Sequence, residues 1–159
     1  MTNFAHATDS YLNTELGERA FSRLDESDDR QFYATDRFVS HLDEVALGTV
    51  EKIIDTLIIE EDPVILDLMA SWDSHIPDRL RSSRIVGLGL NQNELKRNRA
   101  LSEFVIHDLN SLPRLPFPDS TFDAVVTTVS VDYMTKPVQV FKDAGRVLRP
   151  GGLFLVIFS

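Results

Sequence analysis

The sequence predicts an α/β domain built on a doubly wound, mostly parallel sheet, and three observations predict it. Residues Val64–Leu68 form an apolar run broken only by Asp67, the pattern of a strand buried on both faces. Four more strand-like runs follow it, separated by segments long enough for turns or helices, and such alternation implies right-handed parallel crossovers. Between the fourth and fifth runs, Pro137 suits the first turn of a helix that Arg149-Pro150-Gly151-Gly152 ends.

Taken in order, residues 1–35 are polar and acidic, with Asp25-Glu26-Ser27-Asp28-Asp29 reading as a loop. A helix over Tyr11 to Leu24 is weakened by Asn13 and Gly17. A stronger helix runs from about Asp43 to Ile59. Val50, Ile53, Ile54, Leu57 and Ile58 make one apolar stripe, and Asp43 and Glu44 place negative charge at its N-terminus. After Glu60-Glu61-Asp62-Pro63 come the strands Val64–Leu68, Arg84–Leu90, Glu103–His107, Phe122–Val129 and Leu153–Phe158. The helix before the last strand spans Lys136 to Leu148, with Val138, Phe141, Ala144 and Leu148 as its expected buried stripe. The connectors after the first two strands are short, so their helices are expected to be brief. The chain divides into an N-terminal extension, 1–42, and a main domain, 43–159.

At 159 residues the chain is long enough for one domain with a real core, and at 43% hydrophobic and 26% charged it is ordinary for a globular protein. A net charge of -9 argues against nucleic acid, because phosphate binding needs clustered Lys and Arg. The one basic knot, Lys96-Arg97-Asn98-Arg99, reads as a solvated helix face. There is no cysteine, which removes thiolate chemistry and suits a cytoplasmic location. No apolar run approaches the roughly 18 residues of a membrane span. His6, His41, His75 and His107 lack metal-ligand spacing, so no metal site is expected.

Three segments stand out: Val86-Gly87-Leu88-Gly89-Leu90-Asn91, Leu115-Pro116-Phe117-Pro118-Asp119-Ser120-Thr121-Phe122-Asp123-Ala124-Val125, and Val147-Leu148-Arg149-Pro150-Gly151-Gly152. They resemble the type 11 branch of class I S-adenosylmethionine (SAM)-dependent methyltransferases. The likeness runs from Val64 to Ser159. It implies a Rossmann-like sheet of order 3-2-1-4-5, SAM as cofactor, and methyl transfer to a small molecule. The family's last two strands do not follow the fifth, so Leu153–Phe158 is expected to be an exposed edge, and a homodimer through that strand is a further expectation.

The resemblance also locates a site. Glycines usually follow the first strand, where a missing Cβ lets backbone approach the methionine half of SAM. Met69, Ser71 and Asp73 stand there instead. Met69 and Ser71 either contact the ligand or plug the pocket, and Asp67 organises the loop behind them. The stretch Asp67-Leu68-Met69-Ala70-Ser71-Trp72-Asp73-Ser74-His75 resembles the loop of a divergent methyltransferase-like subgroup, which favours retained binding. Gly89 occupies the place of the ribose-binding acid. Asn91 offers a substitute amide, or caps the next helix with Glu94 three residues on. Asp108 and Leu109 match the adenine position. Asp132 and Tyr133, beyond the fourth strand, are the candidates for general base or acceptor orientation. Tyr33, Arg37 and His41 are candidate lid residues. The alternative function is a non-catalytic scaffold that kept the fold and lost the pocket.

Overall fold

The computed structural model describes residues 20–23, 28–29, 33–40, 42–81 and 83–158. Most of the expected helix over Tyr11–Leu24 lies outside these residues, as do Asp25, Glu26 and Ser27 of the loop-like cluster, and His6 and His41.

The first described helix, α1, spans Glu44–Leu57. Asp43 caps it, its carboxylate accepting the Ala46 N–H at 2.8 Å. Val50, Ile54 and Ile58 form its buried line. Leu57, expected on that stripe, is 48% exposed. Arg79 closes the other end of α1, donating to the carbonyls of Asp55, Ile58 and Glu60 that the helix leaves unpaired.

Five parallel strands follow: β1 (Val64–Leu68), β2 (Arg84–Gly89), β3 (Glu103–Ile106), β4 (Phe122–Thr128) and β5 (Leu148–Ile157). Their order is β3-β2-β1-β4-β5. α2 (Gln92–Arg97) joins β2 to β3, and α3 (Pro137–Val147) joins β4 to β5. Among its described residues, the connector after β1 holds only a 3₁₀ turn, Asp78–Leu80. A sheet of this order with helices on both faces is the Rossmann-like fold expected from the sequence.

Alternate residues of each strand feed opposite faces. Leu66, Leu68, Val86, Leu88 and Val125 pack with Val140, Ala144 and Val147 of α3. Ile65, Ile85, Ala124 and Val126 pack with Val50, Ile54 and Ile58 of α1. This two-sided burial is why the strands read as continuous apolar runs.

Two expectations need correction. The buried line of α3 is Pro137, Val140, Ala144 and Val147. Val138, Phe141 and Leu148 are half-buried, and the Phe141 ring meets Phe154 edge-on at 5.0 Å. β5 also starts earlier than expected, because Leu148 pairs with Phe122 before an irregularity and Gly151, at φ 86°, redirects the chain into the regular ladder.

Candidate functional site

In an open α/β sheet the loops at the carboxyl ends of the strands enclose the ligand-binding crevice. Here the loops after β1, β2, β3 and β4 enclose a cavity of about 340 Å³. Asp67, Met69, Ser71, Gly89, Asn91, Asp108, Leu109, Asp132 and Tyr133 all line it. The fold therefore gathers these nine residues into one place.

The loop after β1 shows how the missing glycines are replaced. Met69 takes φ 63°, a left-handed conformation that glycine enters without strain. Ala70 then continues the ladder, its N–H donating to Leu88 O at 2.8 Å. Its carbonyl oxygen comes so close to β2 that a Cβ on Gly89 would lie 2.2 Å away. A side chain at that position would force the Ala70 backbone to move, so a ribose-binding acid there does not fit the loop as it stands.

Side chains from α2 brace the same loop. Glu94 is buried; its Oε2 accepts the Ser71 hydroxyl at 2.5 Å and its Oε1 accepts the Arg37 N–H at 2.8 Å. Asn98, also buried, donates through Nδ2 to Ser71 O at 2.9 Å and to Ser74 Oγ at 2.7 Å. Asn98 is thus not part of a solvated basic face. Asn91 is the N-cap of α2, its Oδ1 accepting the N–H groups of Asn93 and Glu94. Its Nδ2 donates to Tyr33 O and Asp36 Oδ1, each at 3.0 Å. Those four bonds use the whole amide. In place of a capping-box return to Asn91, the Glu94 carboxylate bridges residues 33–40, an N-terminal strap, and the β1 loop.

Trp72 holds that strap from the other side. Its indole N–H donates to Val39 O at 3.1 Å, and its ring meets Phe38 edge-on at 6.4 Å. Arg97 lies over the Phe38 ring at 4.2 Å. Tyr33 and Arg37 reach the cavity wall. Burial, then the nearby Asp29 carboxylate, push the Tyr33 phenol up from its ordinary value.

Asp108 makes a local turn. Its Oδ1 accepts the N–H groups of Asn110 and Ser111, and its Oδ2 accepts the Ser111 hydroxyl. Asn110, which the sequence reading passed over, ties the rim together by donating to Asp29 Oδ2 at 2.7 Å and to Tyr133 O at 2.9 Å. Asp132 and Tyr133 sit on a 3₁₀ turn, Val131–Tyr133, and both are exposed at the mouth.

The inner wall carries the unusual electrostatics. Asp67 is fully buried, and burial pushes its carboxyl up to about 7, with the Ser74 hydroxyl pulling the other way. His75, at φ 48°, places Nδ1 3.5 Å from Asp73 Oδ2. That contact raises the His75 imidazole and holds Asp73 below the usual carboxylate range.

Fold and crevice together define a doubly wound α/β protein with its ligand site at the carboxyl ends of the strands. Residues 73–156 match the methyltransferase domain family, and the chain belongs to it. The cofactor of this family is SAM. A 73-residue stretch is 34% identical to a protein of Mycolicibacterium smegmatis described as a "probable S-adenosylmethionine-dependent methyltransferase", covering 46% of this chain and 28% of that protein. Over 87 residues the chain is 36% identical to a fatty-acid O-methyltransferase of the same organism, covering 52% of this chain and 31% of that one. The matches thus span about a third or less of these relatives' length. Among solved structures, protein PH0226 of Pyrococcus horikoshii superposes with a TM-score of 0.60 at 22% identity, over 81% of this chain and 62% of that one, which shows the shared fold.

The lining suits such a cofactor in charge. Asp29, Asp67, Asp73, Glu94, Asp108 and Asp132 face a cavity to which Arg37 brings the one guanidinium among the described lining residues. One oxygen of buried Asp67 has no hydrogen-bond partner among the described residues. A sulfonium that also carries an ammonium is the kind of ligand this field attracts.

Proposed function

We propose that this domain binds SAM along the carboxyl edge of its sheet and methylates a small molecule in the cytoplasm. The observation that carries the reading is the acidic crevice over β1–β4, lined together by Asp67, Met69, Ser71, Asp108, Leu109, Asp132 and Tyr133. Bound SAM would supply an electrophilic methyl group on its sulfonium.

The chain's own residues would position and shield. Asp108, turned into its loop by Asn110 and Ser111, has one carboxylate lone pair left for an adenine amino group. Leu109, buried beside it, offers an apolar face to the base. Met69 and Ser71 would flank the amino-acid end. Asp132 and Tyr133, at the open mouth, would meet the acceptor. In-line positioning supplies most of what methyl transfer needs, so an obvious catalytic dyad is not required. The strap of residues 33–40 supports a lid role for the N-terminal extension, because Asn91, Glu94 and Trp72 fasten it at the crevice rim. The acidic balance favours a small molecule over nucleic acid. A homodimer through the β5 edge accompanies this reading, and light scattering that detects only monomer at micromolar chain would remove it.

The rival reading, a scaffold that has lost its cofactor, is favoured by one observation: Ala70 O fills the corner where a ribose-binding acid would stand. Asp108→Ala separates the two. On the methyltransferase reading it weakens S-adenosylhomocysteine binding by about tenfold or more, measured by calorimetry. An unchanged affinity defeats the assigned site.

A further inference from the structure

Phe38 and Val39, adjacent on the strap, are 37% and 52% exposed. Trp72 fixes both in place, since its indole N–H holds the Val39 carbonyl and its half-buried ring abuts Phe38. A lone exposed apolar residue needs no explanation. Here a cluster of cations stands against the pair. Arg97 lies over the Phe38 ring at 4.2 Å, and Lys96 and Arg99 flank it in sequence, all three exposed.

Those cations have no counter-charge within the fold. None of the three makes an ion pair with a described residue. Elsewhere on the surface Arg79, Arg81, Arg84 and Arg149 each hold a carboxylate. The acids beside the patch are engaged by other groups: Asp36 accepts the amides of Asn91 and Asn93, Asp73 meets His75, and Glu94 is buried. The carbonyl end of α2 accounts for some of the positive charge, but Arg99 lies beyond the Asn98 cap.

We propose that Phe38, Val39 and Trp72, together with Lys96, Arg97 and Arg99, form a docking surface for an anionic lipid membrane. A purely electrostatic partner has no use for Phe38 and Val39. A lipid interface uses both kinds of group, taking apolar side chains into the acyl boundary and attracting basic ones to its phosphates. Indole rings sit well at headgroup level. Arg97 can keep its contact with Phe38 while its guanidinium reaches a phosphate. The rest of the chain, at a net charge of -9, is repelled by the same membrane. Salt screens that repulsion beyond about 8 Å, so it selects this orientation without forbidding contact. Tyr33 and Arg37 of the same strap line the crevice, so docking holds one rim of the crevice at the lipid. The surface does not depend on what the crevice binds.

The test is flotation of the full chain with vesicles of phosphatidylcholine, alone or mixed with phosphatidylglycerol, at low and at physiological salt. The expected result is binding to the mixed vesicles only, weakened by salt. A blue shift of Trp72 emission should accompany it, and Trp72 is the single tryptophan. Lys96→Gln, Arg97→Gln and Arg99→Gln each lower the partition coefficient about fivefold. Val39→Ser also weakens binding and leaves its salt dependence in place. All four positions are exposed, and urea midpoints close to the parent's separate a lost contact from a folding defect. The proposal is overturned by equal binding to the neutral vesicles, by no binding to either at low salt, or by binding that survives when all three basic residues are glutamine. Poly-glutamate supplies the remaining arm. If it binds the chain as well as the mixed vesicles do, and Val39→Ser alters neither, the patch takes an acidic polypeptide and the lipid proposal falls.

Discussion

The segment from Leu115 to Gly152 and the segment from Met69 to Asn98 solve opposite problems. The first keeps the family's pattern at 115–125 and 147–152, and outside 128–133, which border the crevice, its polar residues serve the fold. Arg146 donates to Leu115 O and Phe117 O and pairs with Asp143 and Asp119. Asp143 also accepts the Leu115 N–H, and Asp123 joins Arg149 to the Val64 N–H. These contacts lie away from the crevice, and none of the residues making them lines it. The second segment departs from the pattern at 69–75 and at Gly89, and Ser71, Asp73, Asn91, Glu94 and Asn98 line or brace the crevice. Glycine's freedom is replaced there by strained Met69 and His75 and by the bonds of Asn91, Glu94 and Asn98. A familiar motif can therefore mark a structural clip, while the unfamiliar stretch lines the crevice.

Substitutions can break or sharpen this contrast. The largest effect is expected at Gly89, where a Cβ would meet Ala70 O at 2.2 Å. Gly89→Asp, which restores the family's acid, should cost about 4 kcal/mol or more in urea unfolding; a stable variant would show that the β1 loop can retreat.

Next comes Asp67. Its carboxyl is raised by burial, so the folded state holds its proton more tightly than the unfolded chain does. Stability is therefore greatest below the unfolded carboxyl value and falls as pH rises toward 7. Relative to the parent, Asp67→Asn should gain about 3 kcal/mol between about pH 4 and about pH 8, read from paired unfolding curves. A flat difference would mean that Asp67 is better solvated than its burial implies.

In the clip, Arg146→Ala should lose about 2 kcal/mol of stability without altering ligand affinity. A change in affinity would erase the division between the two segments. Glu94→Ala should cost about 1 kcal/mol and loosen the strap, shifting Trp72 fluorescence to the red. Trp72 is the single tryptophan, so the signal is unambiguous. The smallest effect is electrostatic: Asp73→Asn should lower the His75 titration midpoint followed by NMR, since Asp73 is what raises it.

Much of the fold was legible because burial on both faces of a parallel sheet writes itself as apolar runs. β1 matches its predicted ends, and the Asp43 cap marks where α1 begins. α3 was misread because it carries two apolar lines. Pro137-Val140-Ala144-Val147 and Val138-Phe141-Leu148 both have helical spacing, and only three-dimensional packing ranks them. The site was legible as positions and less so as bonds. Asn91, Glu94 and Asn98 recur at helical spacing, and that polar stripe beside Leu95 was an available sign of a buried, hydrogen-bonded face. That Ala70 O would crowd a side chain at position 89 was not available, because a close approach between the β1 loop and the end of β2 leaves no periodic trace.

The central claim is that the altered loop still encloses a working cofactor site. Calorimetric titration of the chain with S-adenosylhomocysteine tests it most directly. The account predicts saturable one-to-one binding in the micromolar range; no heat and no thermal stabilisation at millimolar ligand would contradict it.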